Sequence, residues 1–87
     1  MTRGREGGAD RLELLRTFVR IVETGSLSAA AEQLHTTQPT VSRRLQRLER
    51  SLGLQLLKRT THSMILTEEG TRCLEHAQSM LERWDAI

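Results

Sequence analysis

The sequence predicts a small, mainly α-helical domain in which three helices support a two-stranded hairpin and a longer helix follows. Three observations lead there. Apolar residues recur at helical spacing in four separate segments, each with a capping candidate at its head. Between the third and fourth segments the period shifts to short β-prone pieces around a polar turn. Positive charge is also gathered in one place. The chain of 87 residues is only +2 overall, yet Thr36 to His62 holds six Lys/Arg against Glu49 alone, a local +5 beside a remainder at −3.

Residues 1–9, MTRGREGGA, are rich in glycine and charge and have no apolar period, which predicts a disordered lead-in. Asp10 is positioned to cap a first helix reaching about Thr24. Leu12, Leu15, Phe18, Val19 and Val22 form its apolar stripe, and Leu14 and Ile21 lie on a second face. A helix apolar on two sides sits between two neighbours. Gly25 stops it and Ser26 caps a second helix, LSAAAEQLH, whose stripe is Leu27, Ala30, Ala31 and Leu34. Its alanines allow another helix to cross closely.

His35-Thr36-Thr37 leaves room only for a tight turn. The third helix then reads QPTVSRRLQRLERSL, with Thr37 as its cap and Pro39 in a first turn whose N–H groups have no intrahelical partner. Val41, Leu45, Leu48 and Leu52 define its core face. The opposite face holds Pro39, Arg43, Gln46, Arg47 and Arg50, with Gln38 and Ser42 on one flank, and Gly53 ends the helix. Two β-prone pieces, about Gln55–Arg59 and Ser63–Leu66, flank the turn TTHS; a hairpin this short must lean on the helices. Thr67 caps a last helix, with Glu68 and Glu69 where the helix dipole favours acids. Cys73, Ala77, Met80, Trp84 and Ile87 repeat along it as a heptad seam, with Leu74 and Leu81 beside them.

Composition narrows the function. With 37% hydrophobic residues the chain supports one small core, and a domain of this size buries only about 60–65% of its unfolded surface, so dimerisation would add needed contacts. One cysteine permits no internal disulfide, and no segment reaches the roughly 18 apolar residues of a membrane span. A cytoplasmic home is expected. His35, His62 and His76 are scattered, so neither a metal site nor a cofactor is expected, and no Ser-His-Asp or Cys-His set argues for an enzyme. Cys73 reads as a small buried hydrophobe.

The order helix, helix, tight turn, basic helix, hairpin is that of a winged helix-turn-helix. Such proteins place the second helix of the pair in the DNA major groove, its N-terminal residues at base edges. The polar tip Gln38-Pro39-x-x-Ser42-Arg43 suits bases. Gln38 can pair with adenine, and Pro39 can meet a thymine methyl. Gln46, Arg47 and Arg50 suit phosphates, which fix register without reading sequence. Lys58, Arg59 and His62 on the wing can reach the flanking backbone or minor groove. Thr37 serves first as a cap, and Arg44, nearer the core edge, pairs with Glu49 or with an acid of another helix.

The stretch GSLSAAAEQLHTTQPTVSRRLQRLERSLGLQLLKRT, closing with LTEEG, resembles the N-terminal DNA-binding domain of LysR-type transcriptional regulators. The likeness runs from about Arg11 to Gly70 and rests on the alanine pair before Glu32, Gln38-Pro39, Val41-Ser42-Arg43, Leu48-Glu49, Leu52-Gly53 and Leu-Thr-x-x-Gly. It implies a winged helix-turn-helix over residues 10–66, followed by a linker helix over 67–87 that dimerises. It implies that Gln38, Pro39, Ser42 and Arg43 face the major groove, and that the wing arginine meets the minor groove or its phosphates. The implied partner is double-stranded DNA carrying an interrupted, A·T-leaning palindrome, bound by a homodimer in the bacterial nucleoid. The resemblance also implies an effector-binding domain, which is expected to be absent from these residues, so that a small-molecule effector would act only through a part not present. Two departures stand out: Leu56-Leu57 where the family has Leu-Phe, and a wing tip TTHSM in place of an arginine- and glycine-rich turn.

The seam residues Cys73, Ala77, Met80, Leu81, Trp84 and Ile87 are the expected dimer interface, with Leu74 and Leu81 turned inward or the two roles exchanged. A protein-interaction module would share the scaffold but not the polar tip. An RNA binder would need aromatic platforms, and only Phe18 and Trp84 are aromatic.

Overall fold

The computed structural model describes residues 2–60 and 63–87, with side chains from Arg11 onward. Its elements are α1 (Thr2–Thr24), α2 (Leu27–Gln33), α3 (Gln38–Leu52), β1 (Leu57–Arg59), β2 (Met64–Leu66) and α4 (Glu68–Asp85). The order is the predicted one.

The first difference is at the head of α1, which begins at Thr2 rather than at an Asp10 cap. The backbone of 2–9 is thus helical where the sequence predicts a lead-in without regular structure. Once the packed part of a helix is formed, each added residue gains a hydrogen bond without a further nucleation cost, so a weak former can follow a strong one. Leu14, Phe18, Val19 and Ile21 are buried, while Leu12, Leu15 and Val22 are half-buried against the same core. The helix lies between α2 and α3 on one side and α4 on another, as its two apolar faces require. Thr17, fully buried among them, donates to the Glu13 carbonyl at 2.8 Å.

Gly25 at φ +85° turns the chain out of α1, and Ser26 caps α2 by accepting the Ala29 N–H at 3.0 Å. Ala30 and Ala31 are buried where α2 crosses α1 and α3. The end of α2 is closed by two backbone bonds, His35 N–H to Glu32 O at 3.2 Å and Thr36 N–H to Ala31 O at 2.9 Å. That paired closure places His35 at φ +56°, a position glycine usually takes. Gly53 closes α3 in the same way at φ +68°, through bonds to Arg50 O and from Leu54 N–H to Glu49 O.

On α3, Val41, Leu45 and Leu48 are buried, as predicted. Leu52, expected with them, is 45% exposed: it falls on the last turn and lines an open groove with Leu12 and Leu15 of α1 and Met80 of α4 instead of being covered. Arg44 takes the second of its predicted options. It reaches Glu13 at 3.6 Å and donates to Thr17 Oγ1 at 3.4 Å, tying α3 to α1. Glu49 turns instead to the wing, where its Oε2 accepts Leu56 N–H at 2.7 Å and Leu57 N–H at 3.2 Å.

The wing is a three-residue antiparallel ladder with Leu57 opposite Leu66, Lys58 opposite Ile65 and Arg59 opposite Met64. Gln55 and Leu56, expected in the first strand, precede it. Leu56 is fully buried and supplies the carbonyl that receives α4. Thr67 N–H donates to that carbonyl at 3.0 Å, while Thr67 Oγ1 caps α4 by accepting Gly70 N–H at 2.9 Å. A side chain on Gly70 would meet Leu56 O at 2.0 Å, so only glycine lets α4 start here.

Ala77 and Leu81 lie in the core. Both belong to the predicted seam, but the stripe that begins at Gly70 faces the chain's own core and consumes them. The remaining seam residues stay accessible: Cys73 is half-buried, Met80 is 49%, Trp84 55% and Ile87 99% exposed. Arg16 and Asp85 pair across α1 and α4 with two hydrogen bonds, and this contact holds the Asp85 carboxyl below the usual carboxylate range.

Candidate nucleic-acid interface

The outer face of α3 is built from its cap upward. Thr37, extended at φ −103° and ψ 157°, accepts Thr40 N–H at 3.3 Å, and Pro39 follows in the first turn. The polar tip is thereby held at the surface, with Gln38 and Pro39 exposed and Ser42 half-buried beside them. Ser28 on α2 donates to Gln38 Oε1 at 3.4 Å, which leaves both Gln38 N–H donors and one lone pair for an outside partner.

Arg43, Gln46, Arg47 and Arg50 continue the exposed face along the helix. With Thr40 and Arg44 they line one shallow depression. Arg43 Nη2 donates to Thr40 Oγ1 at 3.3 Å. Glu49, the sole acid of this helix, is drawn to the wing amides and Arg44 is drawn to Glu13, so the outer face keeps its positive charge.

The wing divides its two cations. Successive strand residues point to opposite faces. Arg59 shares the side of buried Leu57 and half-buried Met64 and Leu66, and it lines a depression with Leu27, Gln38, Pro39 and Ser42. A neighbouring depression joins Arg59 and Gln38 with Ser26, Ser28, Thr60 and Ser63. Lys58 points the other way with Ile65, both exposed. The structure thus brings Arg59 to the helix tip and sets Lys58 on the outer side of the hairpin. At the turn, Thr60 Oγ1 accepts Ser63 N–H at 2.9 Å. His62, expected to join the wing contacts, lies outside the described residues.

Three contributors were not singled out from the sequence. Ser28 was hidden in a helix start where Ser26 already served as cap. Thr40 lay between the named tip residues. Glu49 was read only as a partner for Arg44. Nothing in the spacing singled out Ser28, because its approach to Gln38 depends on how α2 and α3 cross. On α4, burial pushes the Cys73 thiol up, so it stays protonated at neutral pH, the behaviour of a small apolar side chain. Among the described residues, no helix is long and apolar enough to cross a membrane.

Together the crossed α2 and α3, the tight turn between them and the hairpin laid against the tip define a winged helix-turn-helix domain. The chain belongs to the lysR family of bacterial regulatory helix-turn-helix proteins, whose model matches residues 12–71. Among its relatives is the HTH-type transcriptional regulator CrgA of Neisseria meningitidis, 49% identical over 74 residues, which are 85% of this chain and 25% of CrgA. The HTH-type transcriptional activator AllS of Klebsiella pneumoniae is 48% identical over 75 residues, 86% of this chain and 28% of AllS. The chain therefore spans about a quarter of the length of these relatives. Among solved structures, the BenM_DBD complex with catB site 1 DNA superposes with a TM-score of 0.83 at 40% identity, covering 86% of this chain and 84% of that one. The CbnR_DBD–DNA complex gives 0.82 at 37% identity, covering 86% of each.

Proposed function

We propose that this chain is the sequence-specific, double-stranded-DNA-binding domain of a LysR-type transcription regulator, and that it works as a cytoplasmic homodimer rather than as an enzyme. The observation that carries the reading is the exposed tip of α3. Gln38, Pro39, Ser42 and Arg43 stand together at the surface with Arg59 beside them, and the one acid of the helix is turned away. A major groove about 12 Å wide admits one such helix. Gln38 and Arg43 carry the hydrogen-bonding geometry that reads adenine and guanine edges, and Pro39 offers an apolar surface to a thymine methyl. Gln46, Arg47 and Arg50 meet phosphates further along, Thr37 brings its backbone N–H near one, and Arg59 enters the adjoining minor groove or its backbone. Lys58 supplies charge at the wing's outer edge, and His62, which lies outside the described residues, is retained from the sequence as a further wing contact. Known complexes of BenM_DBD and CbnR_DBD with DNA support the assignment of partner.

The dimer is assigned to α4 and the residues just past its end, through Met80, Trp84 and Ile87 with Cys73 at the margin. Met80 and Trp84, left open on α4, and Ile87, two residues beyond it, are better buried against a second copy than in water. Two-fold symmetry of the protein then requires two half-sites in the DNA.

Two substitutions test the division between reading and anchoring. Arg43→Ala should cost about 1–3 kcal/mol and relax preference at one base position. Lys58→Ala should weaken specific and random DNA alike and lower the slope of log affinity against log salt by about 1. Equal losses with unchanged base preference would defeat the assignment.

A further inference from the structure

The outer row of α3 contains a chain of hydrogen bonds that contributes nothing to burial. Thr37, Thr40 and Arg43 are spaced three apart, so their side chains stand above one another on adjacent turns. Thr37 Oγ1 accepts Thr40 N–H at 3.3 Å and donates its own proton to Thr40 Oγ1 at 2.9 Å. Thr40 Oγ1 also accepts from Arg43 Nη2 at 3.3 Å. Both lone pairs of the Thr40 hydroxyl are thus occupied, one from the cap and one from the guanidinium.

We propose that Thr40 is a positioning residue of the DNA-reading face, holding the Arg43 guanidinium in one place along α3 and thereby setting base selectivity at the position Arg43 meets. This rests on the DNA-binding reading given above. An unrestrained arginine loses much rotamer freedom when it docks, and ordering it beforehand reduces that loss. The guanidinium has five N–H donors, and Thr40 engages one of them, so a bidentate approach to guanine O6 and N7 remains open. Thr40 is itself anchored, because Thr37 is fixed by its capping bond. The row therefore carries the rigidity of the helix start out to a long, exposed side chain.

The test is a double-mutant cycle on the purified chain. A random double-stranded pool is first selected with the unaltered protein, and the enriched site is then titrated with Thr40→Val, Thr40→Ala and Thr40→Ser, alone and combined with Arg43→Ala. Thr40→Val keeps the branched shape without the acceptor, Thr40→Ser keeps the acceptor, and thermal melts establish that each variant is folded. Thr40→Val and Thr40→Ala should lose roughly five- to tenfold in affinity and broaden the same base position that Arg43→Ala broadens. Thr40→Ser should stay within about twofold, and Thr40→Val should add nothing once Arg43 is alanine. Thr40→Val that keeps both affinity and preference overturns the proposal, as does an equal loss with and without Arg43. Selection of no motif by the unaltered chain overturns the DNA-binding reading and this inference with it, whereas a motif that Thr40→Val leaves untouched overturns this inference alone.

Discussion

Replacing Gly70 by alanine separates helix propensity from packing, because the two predict opposite signs. Gly70 occupies the third position of α4, where alanine is normally favoured over glycine by about 0.5–1 kcal/mol. In this fold the new Cβ would lie 2.0 Å from Leu56 O and 3.0 Å from both the Leu56 carbonyl carbon and Leu66 Cδ2. Neither side can give way cheaply. Leu56 O holds Thr67 N–H at 3.0 Å, Leu56 N–H is bound to Glu49, and the Leu56 side chain is fully buried. Relief requires the start of α4 to lift by more than an ångström, with loss of a bond worth about 1 kcal/mol and a gap beside a core leucine. The expected net loss is about 2–4 kcal/mol. For a domain of this size each kcal/mol corresponds to a fall of about 4–8 °C in Tm. Urea unfolding followed by far-UV circular dichroism reads the effect directly. An unchanged or raised midpoint for Gly70→Ala would refute the close approach of α4 to Leu56 on which the placement of wing and linker helix depends.

Other perturbations probe separate joints. Glu49→Ala strips the Leu56 and Leu57 amides of their acceptor and should cost about 1–3 kcal/mol, with faster hydrogen exchange at those two positions, while Glu49→Gln, which keeps an acceptor oxygen, should recover much of it. His35→Gly should stabilise by about 1 kcal/mol in the same urea assay, since φ +56° strains a residue with a Cβ and not glycine. Asp85, its folded pKa lowered by Arg16, contributes stability above the unfolded carboxylate value of about 3.9 and loses it as pH falls through the lowered folded value. The stability gap between the unaltered chain and Asp85→Asn should thus be flat from pH 5 to 7, close below about pH 4, and shrink with salt, as both side chains are exposed. Trp84→Ala should weaken self-association in sedimentation equilibrium while leaving monomer stability within about 0.5 kcal/mol; an unchanged association constant would place the contact elsewhere.

Local rules made most of the fold legible. The caps at Ser26, Thr37 and Thr67, the helix-ending glycines at Gly25 and Gly53, and the buried runs of α2 and α3 follow from residue type and spacing, and the structure has them except at the ends of the runs, where Leu34 is half-buried and Leu52 exposed. What the pattern could not show is which of two apolar faces meets the chain itself. On α4 the period of the seam admits both readings. The contact at Gly70, with the packing on α1 and the Arg16–Asp85 pair, goes with the rotation that buries Ala77 and Leu81 and leaves Met80 and Trp84 outside. Long-range polar pairing was legible only as a choice for Arg44 between Glu49 and an acid of another helix, not as the particular partners. Glu13 with Arg44 and Glu49 with the wing amides depend on how helices cross, which one-dimensional spacing does not encode. Lys58 and Arg59 looked equivalent as neighbours in a basic run; strand alternation and register separate them.

The most direct test of the DNA-reading face is selection of a random double-stranded DNA pool by the purified chain at physiological salt, followed by sequencing of the survivors. An enriched motif with two-fold symmetry, in which one position of each half-site loses definition when Arg43 becomes alanine, is the predicted result. Retention without any enriched sequence, abolished by modest added salt, would reduce the outer face of α3 to non-specific charge and contradict the account.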